Sequence, residues 1–188
     1  NAKFENVGQW KRAWFYPINN ESMDEAVQRE SKAARESAGI LDASTLGKID
    51  IQGTDASEFL NRVYTNAWSK LSIGKCRYGL MLNEDGMLYD DGVTTRLDEN
   101  HYIMTTTTGG AANVMSKLED FLQTEWPELD VFLTSVTDHF ATVSVCGPNS
   151  RKILNKIIPN LDLSDENFPH MSFKYAHIGK IKCRVMRI

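Results

Sequence analysis

Residues 64–92, YTNAWSKLSIGKCRYGLMLNEDGMLYDDG, decide how the chain folds. They read as a helix end, a loop and a tight hairpin. Cys76–Leu82 and residues 87–90 have strand character, and Asn83-Glu84-Asp85-Gly86 joins them. The Asp-Gly pair supplies the positive φ that a tight hairpin turn needs.

Upstream, Ser22-Met23-Asp24-Glu25 reads as a capping box, so a helix is expected from there through Ala38, with Gly39 as its stop. Its apolar face (Ala26, Val27, Ala33, Ala34) is thin, as on a helix lying on the surface of something larger. Residues 48–51 alternate as a strand that ends at Gly53. Asp55-Ala56-Ser57-Glu58 reads as a second capping box, opening a short helix with Phe59, Leu60 and Val63 on one face.

Downstream, residues 93–97 and 101–105 form a second hairpin pattern across Asp98-Glu99-Asn100. Gly109-Gly110 leads into a helix over 111–126, ended by Pro127. Strands are expected at 131–136 and 140–146, a helix from Ser150 to Ile158, and a last hairpin over 171–188 about Gly179-Lys180. The fold class is α+β: mixed, largely antiparallel sheets with flanking helices. The final strand stops without a turn signal, so the chain is expected to be part of a longer polypeptide, cut at its C-terminal side. Residues 1–20 are expected to connect to the rest of that polypeptide, and residues 21–188 to form one incomplete domain.

The 188 residues, 41% hydrophobic and 24% charged, are enough for a core of ordinary size. A net charge of -4 speaks against nucleic acid, whose phosphates need a basic face. No apolar run approaches the roughly 20 residues that span a bilayer, and the N-terminus has no signal-peptide layout. A cytoplasmic protein without a membrane partner is expected. Cys76, Cys146 and Cys183 are odd in number and far apart, which suits a reducing compartment and structural thiols. His101, His139, His170 and His177 are scattered and form no metal-ligand spacing.

Four features carry possible chemistry. Gly109-Gly110 before a helix could present amides to an anion or make a plain turn. Asp90-Asp91 could be a carboxylate pair, but neighbours on a strand point to opposite faces, so a structural role is favoured. Thr105-Thr106-Thr107-Thr108 is strand filler or a set of hydroxyls lining a polar site. Trp10, Trp14, Phe15 and Tyr16, interleaved with Lys11 and Arg12, suit packing on a neighbouring domain better than base stacking.

Four segments in order resemble the folate-binding aminomethyltransferase family, whose type member is the glycine cleavage system T-protein. They are Gly39-Ile40-Leu41-Asp42-Ala43-Ser44-Thr45-Leu46-Gly47-Lys48; Phe59-Leu60 through Asn66 to Lys70-Leu71; residues 75–91 with Tyr78, Met81-Leu82-Asn83, Gly86 and Asp90-Asp91; and Val145-Cys146-Gly147-Pro148-Asn149. Residues 7–17, 42–47 and 123–129 resemble the branch found in α subunits of heterotetrameric sarcosine oxidases. The resemblance implies a tetrahydrofolate-binding domain. It would take the one-carbon unit from the imine made by sarcosine oxidation and yield 5,10-methylenetetrahydrofolate and glycine. FAD or FMN and NAD are implied elsewhere in such a complex, and other subunits are the implied partners. Two other readings remain: an aminomethyltransferase acting on a carrier protein, and a non-catalytic folate-fold module for assembly or sensing.

By position, the resemblance implies that Leu46, Asn66 and Tyr78 line the folate site. It also implies two departures. Asn66-Ala67 stands where the family carries Asn-Asp, so Ala67 occupies the catalytic aspartate's place, and the folate nitrogen's own basicity or a carboxylate elsewhere must handle protons. The family's pterin-anchoring glutamate lies beyond Arg187-Ile188, so the 188 residues alone are expected to bind tetrahydrofolate weakly or not at all.

Overall fold

The computed structural model describes residues 1–188. Along the chain run β1 (Lys3–Val7), β2 (Trp10–Phe15), α1 (Met23–Glu36), β3 (Gly39–Asp42), β4 (Gly47–Gln52), α2 (Ala56–Val63) and β5 (Cys76–Leu82). Then come β6 (Leu88–Asp98), β7 (His101–Thr106), α3 (Ala111–Asp120), β8 (Phe132–Ser135), β9 (Val143–Cys146), α4 (Ser150–Ile157), β10 (Ser172–Ile178) and β11 (Ile181–Arg187). The chain forms two compact units, Asn1–Thr45 with Asp138–Leu163 and Leu46–Thr137 with Ser164–Ile188. No helix is long and apolar enough to cross a membrane.

In the first unit, β1 and β2 pair as an antiparallel hairpin inside the segment expected to be a plain connection. The α1 capping box forms: the Ser22 amide donates to Glu25 Oε2 at 2.9 Å, and the Glu25 amide donates to Ser22 Oγ at 3.3 Å. The helix stops at Glu36, before the expected Ala38, because the Ser37 amide closes it on Ala33. β3 and β9 pair antiparallel, with Gly147 (φ +95) turning directly under the α1 end, where a Cβ would meet Ala34 O at 2.4 Å.

The second unit is built on a five-stranded antiparallel sheet in the order β5-β6-β7-β4-β8. Alternation sends Ile49 and Ile51 of β4, and Tyr102 and Met104 of β7, to one face. Ala56, Phe59, Leu60 and Val63 of α2, with Val114 and Leu118 of α3, cover that face. Each large side chain buried there contributes about 1.5–3 kcal/mol. Gly79 on β5 is required because Trp68 and Tyr64 pack on it; a Cβ would meet Trp68 at 2.7 Å.

Three local expectations change. The Asp55 carboxylate makes no cap for α2 and instead accepts the Asp130 amide at 2.9 Å, while Glu58 turns to Arg62. The expected strands 87–90 and 93–97 are one strand, β6, because Gly92 continues the pairing with β5 instead of breaking it. The helix over 111–126 is α-helical only to Asp120 and ends in a π-helical turn, Phe121–Glu125. That turn lets Trp126 lie against Phe121, ring centroids 4.9 Å apart.

Candidate functional site

The second face of the five-stranded sheet, opposite α2 and α3, carries the polar groups. On β5 the alternation that buries Gly79 and Met81 turns Tyr78, Leu80 and Leu82 outward, with 50%, 37% and 37% of their surface exposed. The register sets Leu80 opposite Asp91 and Gly79 opposite Gly92. Asp91 therefore lies on the outward face, one step from Tyr78, and the Tyr78 hydroxyl donates to Asp91 Oδ2. That hydrogen bond, more than burial, raises the Tyr78 phenol above its usual pKa, with the charges of Asp91 and Asp90 adding to it.

Asp90, one residue earlier, faces the other way. It is 4% exposed, and its Oδ1 accepts the Thr107 hydroxyl at 2.6 Å while both oxygens receive the Thr107 amide at 3.3 Å. Its carboxylate also lies against Gly110, the residue that caps α3. Of the glycine pair at this helix start, Gly110 thus meets a carboxylate of its own chain, while nothing lies close to Gly109. Two adjacent aspartates have separate work: Asp90 holds backbone together, and Asp91 is presented on the open face.

Of the residues expected at the site, Asn66 and Tyr78 are brought together: Asn66 Nδ2 donates to the Tyr78 carbonyl at 3.0 Å. Leu46 is half-buried and immediately precedes Gly47 on β4, three strands from Tyr78, or about 14 Å at normal strand spacing. Alternation gives Leu46 the outward parity of Lys48 and Asp50, the same side as Tyr78 and Asp91. Ala67 is exposed, and its carbonyl accepts the Arg77 guanidinium, whose residue has the opposite parity to Tyr78 on β5. The carboxylate beside Tyr78 is Asp91. The pairing follows from the hairpin register out of the Asp85-Gly86 turn and from a bulge at Met81/Leu82 that the sequence does not signal.

The remaining candidates are structural. Thr105 Oγ1 accepts the Val93 amide at 2.9 Å and donates to the Val93 carbonyl at 3.1 Å. His101 Nε2 is 2.7 Å from Asp50 Oδ2, at the far end of the same face. Burial raises the Cys76 thiol above its usual pKa, which keeps it protonated and unreactive at neutral pH. No cluster of His, Cys, Asp and Glu has metal-binding geometry.

The family model described as GCVT N-terminal domain matches residues 1–188. The chain is 58% identical over all 188 residues to sarcosine oxidase subunit alpha of Corynebacterium sp. (strain U-96), covering 100% of this chain and 20% of that one. It is 52% identical over 174 residues to the corresponding subunit of Rhizobium meliloti (strain 1021), covering 92% and 18%. Against the aminomethyltransferase of Bacillus pumilus (strain SAFR-032) the identity is 34% over 144 residues, covering 77% and 37%. The chain thus spans about a fifth of the length of the sarcosine oxidase relatives. Among solved structures it resembles the glycine cleavage system aminomethyltransferase T from Bartonella henselae, with a TM-score of 0.76 at 25% identity over 92% of this chain and 43% of that one. It also resembles a chain of the heterotetrameric sarcosine oxidase from Corynebacterium sp. U-96 in complex with pyrrole 2-carboxylate. There the TM-score is 0.55 at 13% identity, over 86% and 79% of the two chains, a likeness of fold alone.

Proposed function

The chain belongs to the GCVT N-terminal domain family, and from that premise we propose that it is the tetrahydrofolate-binding, one-carbon-transfer part of a sarcosine-oxidising complex. Residues 21–188 form the folate-binding part, and residues 1–20 lead into it. Sarcosine oxidised elsewhere in the complex, with flavin and nicotinamide cofactors held by other parts, gives an imine. This domain captures the imine carbon and releases glycine, with other subunits as partners. Identity of 52–58% to sarcosine oxidase α subunits, against 34% to an aminomethyltransferase, favours this branch.

The observation that carries the reading is the Tyr78–Asp91 pair on the open sheet face, with Asn66 fixing the Tyr78 backbone. The face fits a folate: Tyr78, Leu80 and Leu82 offer an apolar strip to flat rings, and Asp91 offers a fixed acceptor to ring N–H groups. Leu46 would close the site from the β4 side. When bound, tetrahydrofolate supplies the nucleophilic nitrogens that take the one-carbon unit. Asp91 accepts a proton from the attacking nitrogen and returns it to the departing amine of glycine. Tyr78 holds the carboxylate in place by donating to it. Ala67, a methyl group, takes no part in the proton transfer.

Titration of the full-length protein with tetrahydrofolate, followed by tryptophan fluorescence, should give saturable binding that weakens severalfold in Tyr78→Phe and Leu46→Ala. A folded protein showing no saturable change would refute the folate reading. Ala67→Asp should leave methylenetetrahydrofolate formation within twofold, since the carboxylate in use is at position 91. A tenfold change in either direction would return position 67 to the centre of the chemistry.

A further inference from the structure

The backbone ladder between β6 and β7 ends at Thr94↔Met104, yet β6 continues six residues further, to Leu88. Asp91 lies in that continuation. On its β5 side the continuation has ordinary pairing, with Leu80 opposite Asp91. On the β7 side the backbones no longer pair, and side chains take over. Thr105 Oγ1 both accepts from and donates to Val93, at 2.9 and 3.1 Å, standing in for a ladder residue. Thr107 grips the Asp90 carboxylate through its hydroxyl and its amide. Between these two bonds, Gly92 runs so close that a Cβ would be 1.9 Å from Thr105 O.

We infer that Thr105 and Thr107 are positioning residues for Asp91, clamping β6 on either side of it through Val93 and Asp90. The inference rests on the reading of Asp91 given above and adds a specific device to it. Thr105 and Thr107 are neither strand filler nor the lining of a ligand site. Their hydroxyls are spent on the strand that carries the acid, while that of Thr106 donates to the Thr107 carbonyl. Thr105 lies near the end of β7 and Thr107 one residue past it, and the two meet β6 at Val93 and Asp90. The clamp also accounts for the two adjacent aspartates: the buried one anchors the strand so that the half-buried one has a fixed place beside Tyr78. A carboxylate that shuttles a proton must be held within a few tenths of an ångström, which a strand paired on one side alone does not ensure.

The test uses the full-length protein with Thr105→Val and Thr107→Val, which keep branching and volume and remove the hydroxyl, and Thr105→Ser and Thr107→Ser, which restore it. In steady-state methylenetetrahydrofolate formation, each valine variant should lose about tenfold in kcat with KM for tetrahydrofolate within twofold, and each serine variant should recover to within threefold of the parent. The second readout needs no turnover: 3-fluorotyrosine placed at position 78 is titrated by 19F NMR. Its phenol pKa should fall in the valine variants, because the bond to Asp91 that raises it is weakened, and return in the serine variants. Valine variants with parental kcat and an unmoved titration would overturn the clamp. So would a loss in kcat that serine fails to rescue. If Asp91→Asn itself leaves kcat unchanged, the role of Asp91 in catalysis fails, and the 19F titration alone then decides whether the threonines position it.

Discussion

The two faces of the five-stranded sheet are made by the same strands and have opposite characters. The inner face, with Ile49, Ile51, Tyr102 and Met104 under α2 and α3, is closed and apolar. The outer face buries Lys48, Cys76, Thr95 and Ile103 but exposes Tyr78 and Leu80, with the half-buried Asp91 bonded to Tyr78. Asp90 and Asp91 state the difference most sharply. Their carboxylates are chemically identical, and a one-residue step along β6 makes one a structural anchor bonded to Thr107 and the other the partner of Tyr78. The period of two in a strand sorts stability from chemistry at single-residue resolution.

The comparison breaks most severely at Gly92, where the inner side of β6 meets the Thr105 carbonyl. Gly92→Ala places a Cβ 1.9 Å from that oxygen and should cost about 3 kcal/mol in denaturant unfolding, because backbone rather than a flexible side chain must move. Gly86, at the open hairpin tip with φ +78 and nothing within 4 Å, should cost only about 1–2 kcal/mol as alanine, from φ strain alone. Equal losses at the two positions would mean that β6 does not approach β7 as closely as described.

Next in size is the aspartate pair. Asp90→Ala strands the Thr107 hydroxyl and amide and should cost about 2 kcal/mol. Asp91→Asn should change stability by no more than about 0.5 kcal/mol, as expected for a group on the open face. A reversal of that order would mean that the two faces are misassigned.

The smallest expected effect separates the folding electrostatics of the first unit from the site in the second. Bonds from Arg29 and from the Ile18 amide lower the Glu21 carboxyl from 4.5 to about 2. Its folded value lies below its unfolded one, so its contribution is present above pH 4.5 and is lost as the pH falls from 4.5 toward 2. Unfolding measured across that window should be less pH-dependent in Glu21→Gln. Because Glu21 and Arg29 pair at the surface, both half-buried, the difference is small, and an unchanged slope would mean that the ion pair does not contribute.

Much of the fold was legible from residues 64–92. The Asp85-Gly86 turn, the strand at 76–82 and the final hairpin about Gly179-Lys180 stand where the pattern places them. The Ser22 and Asp55 boxes show the limit of local reading. Both have the capping pattern, and only the first caps its helix, because Asp130, distant in sequence, offers Asp55 a competing amide. The split of β6 at Gly92 was misread for a related reason: glycine looks like a break unless the neighbouring carbonyl that requires it is known. Asn66 and Tyr78, paired by the resemblance, do lie together, with Asn66 Nδ2 donating to the Tyr78 carbonyl. The partner of the Tyr78 hydroxyl was not legible, because it depends on hairpin register and a bulge rather than on spacing along the chain.

The central claim is that the outer face, through Asp91, captures an imine made elsewhere. The most direct measurement is the partition of oxidised sarcosine carbon between methylenetetrahydrofolate and formaldehyde, in the complete complex at saturating tetrahydrofolate, for the parent and Asp91→Asn. Asp91→Asn should leave the rate of sarcosine oxidation unchanged and shift the partition at least tenfold toward formaldehyde. An unchanged partition, with tetrahydrofolate still bound, would contradict it.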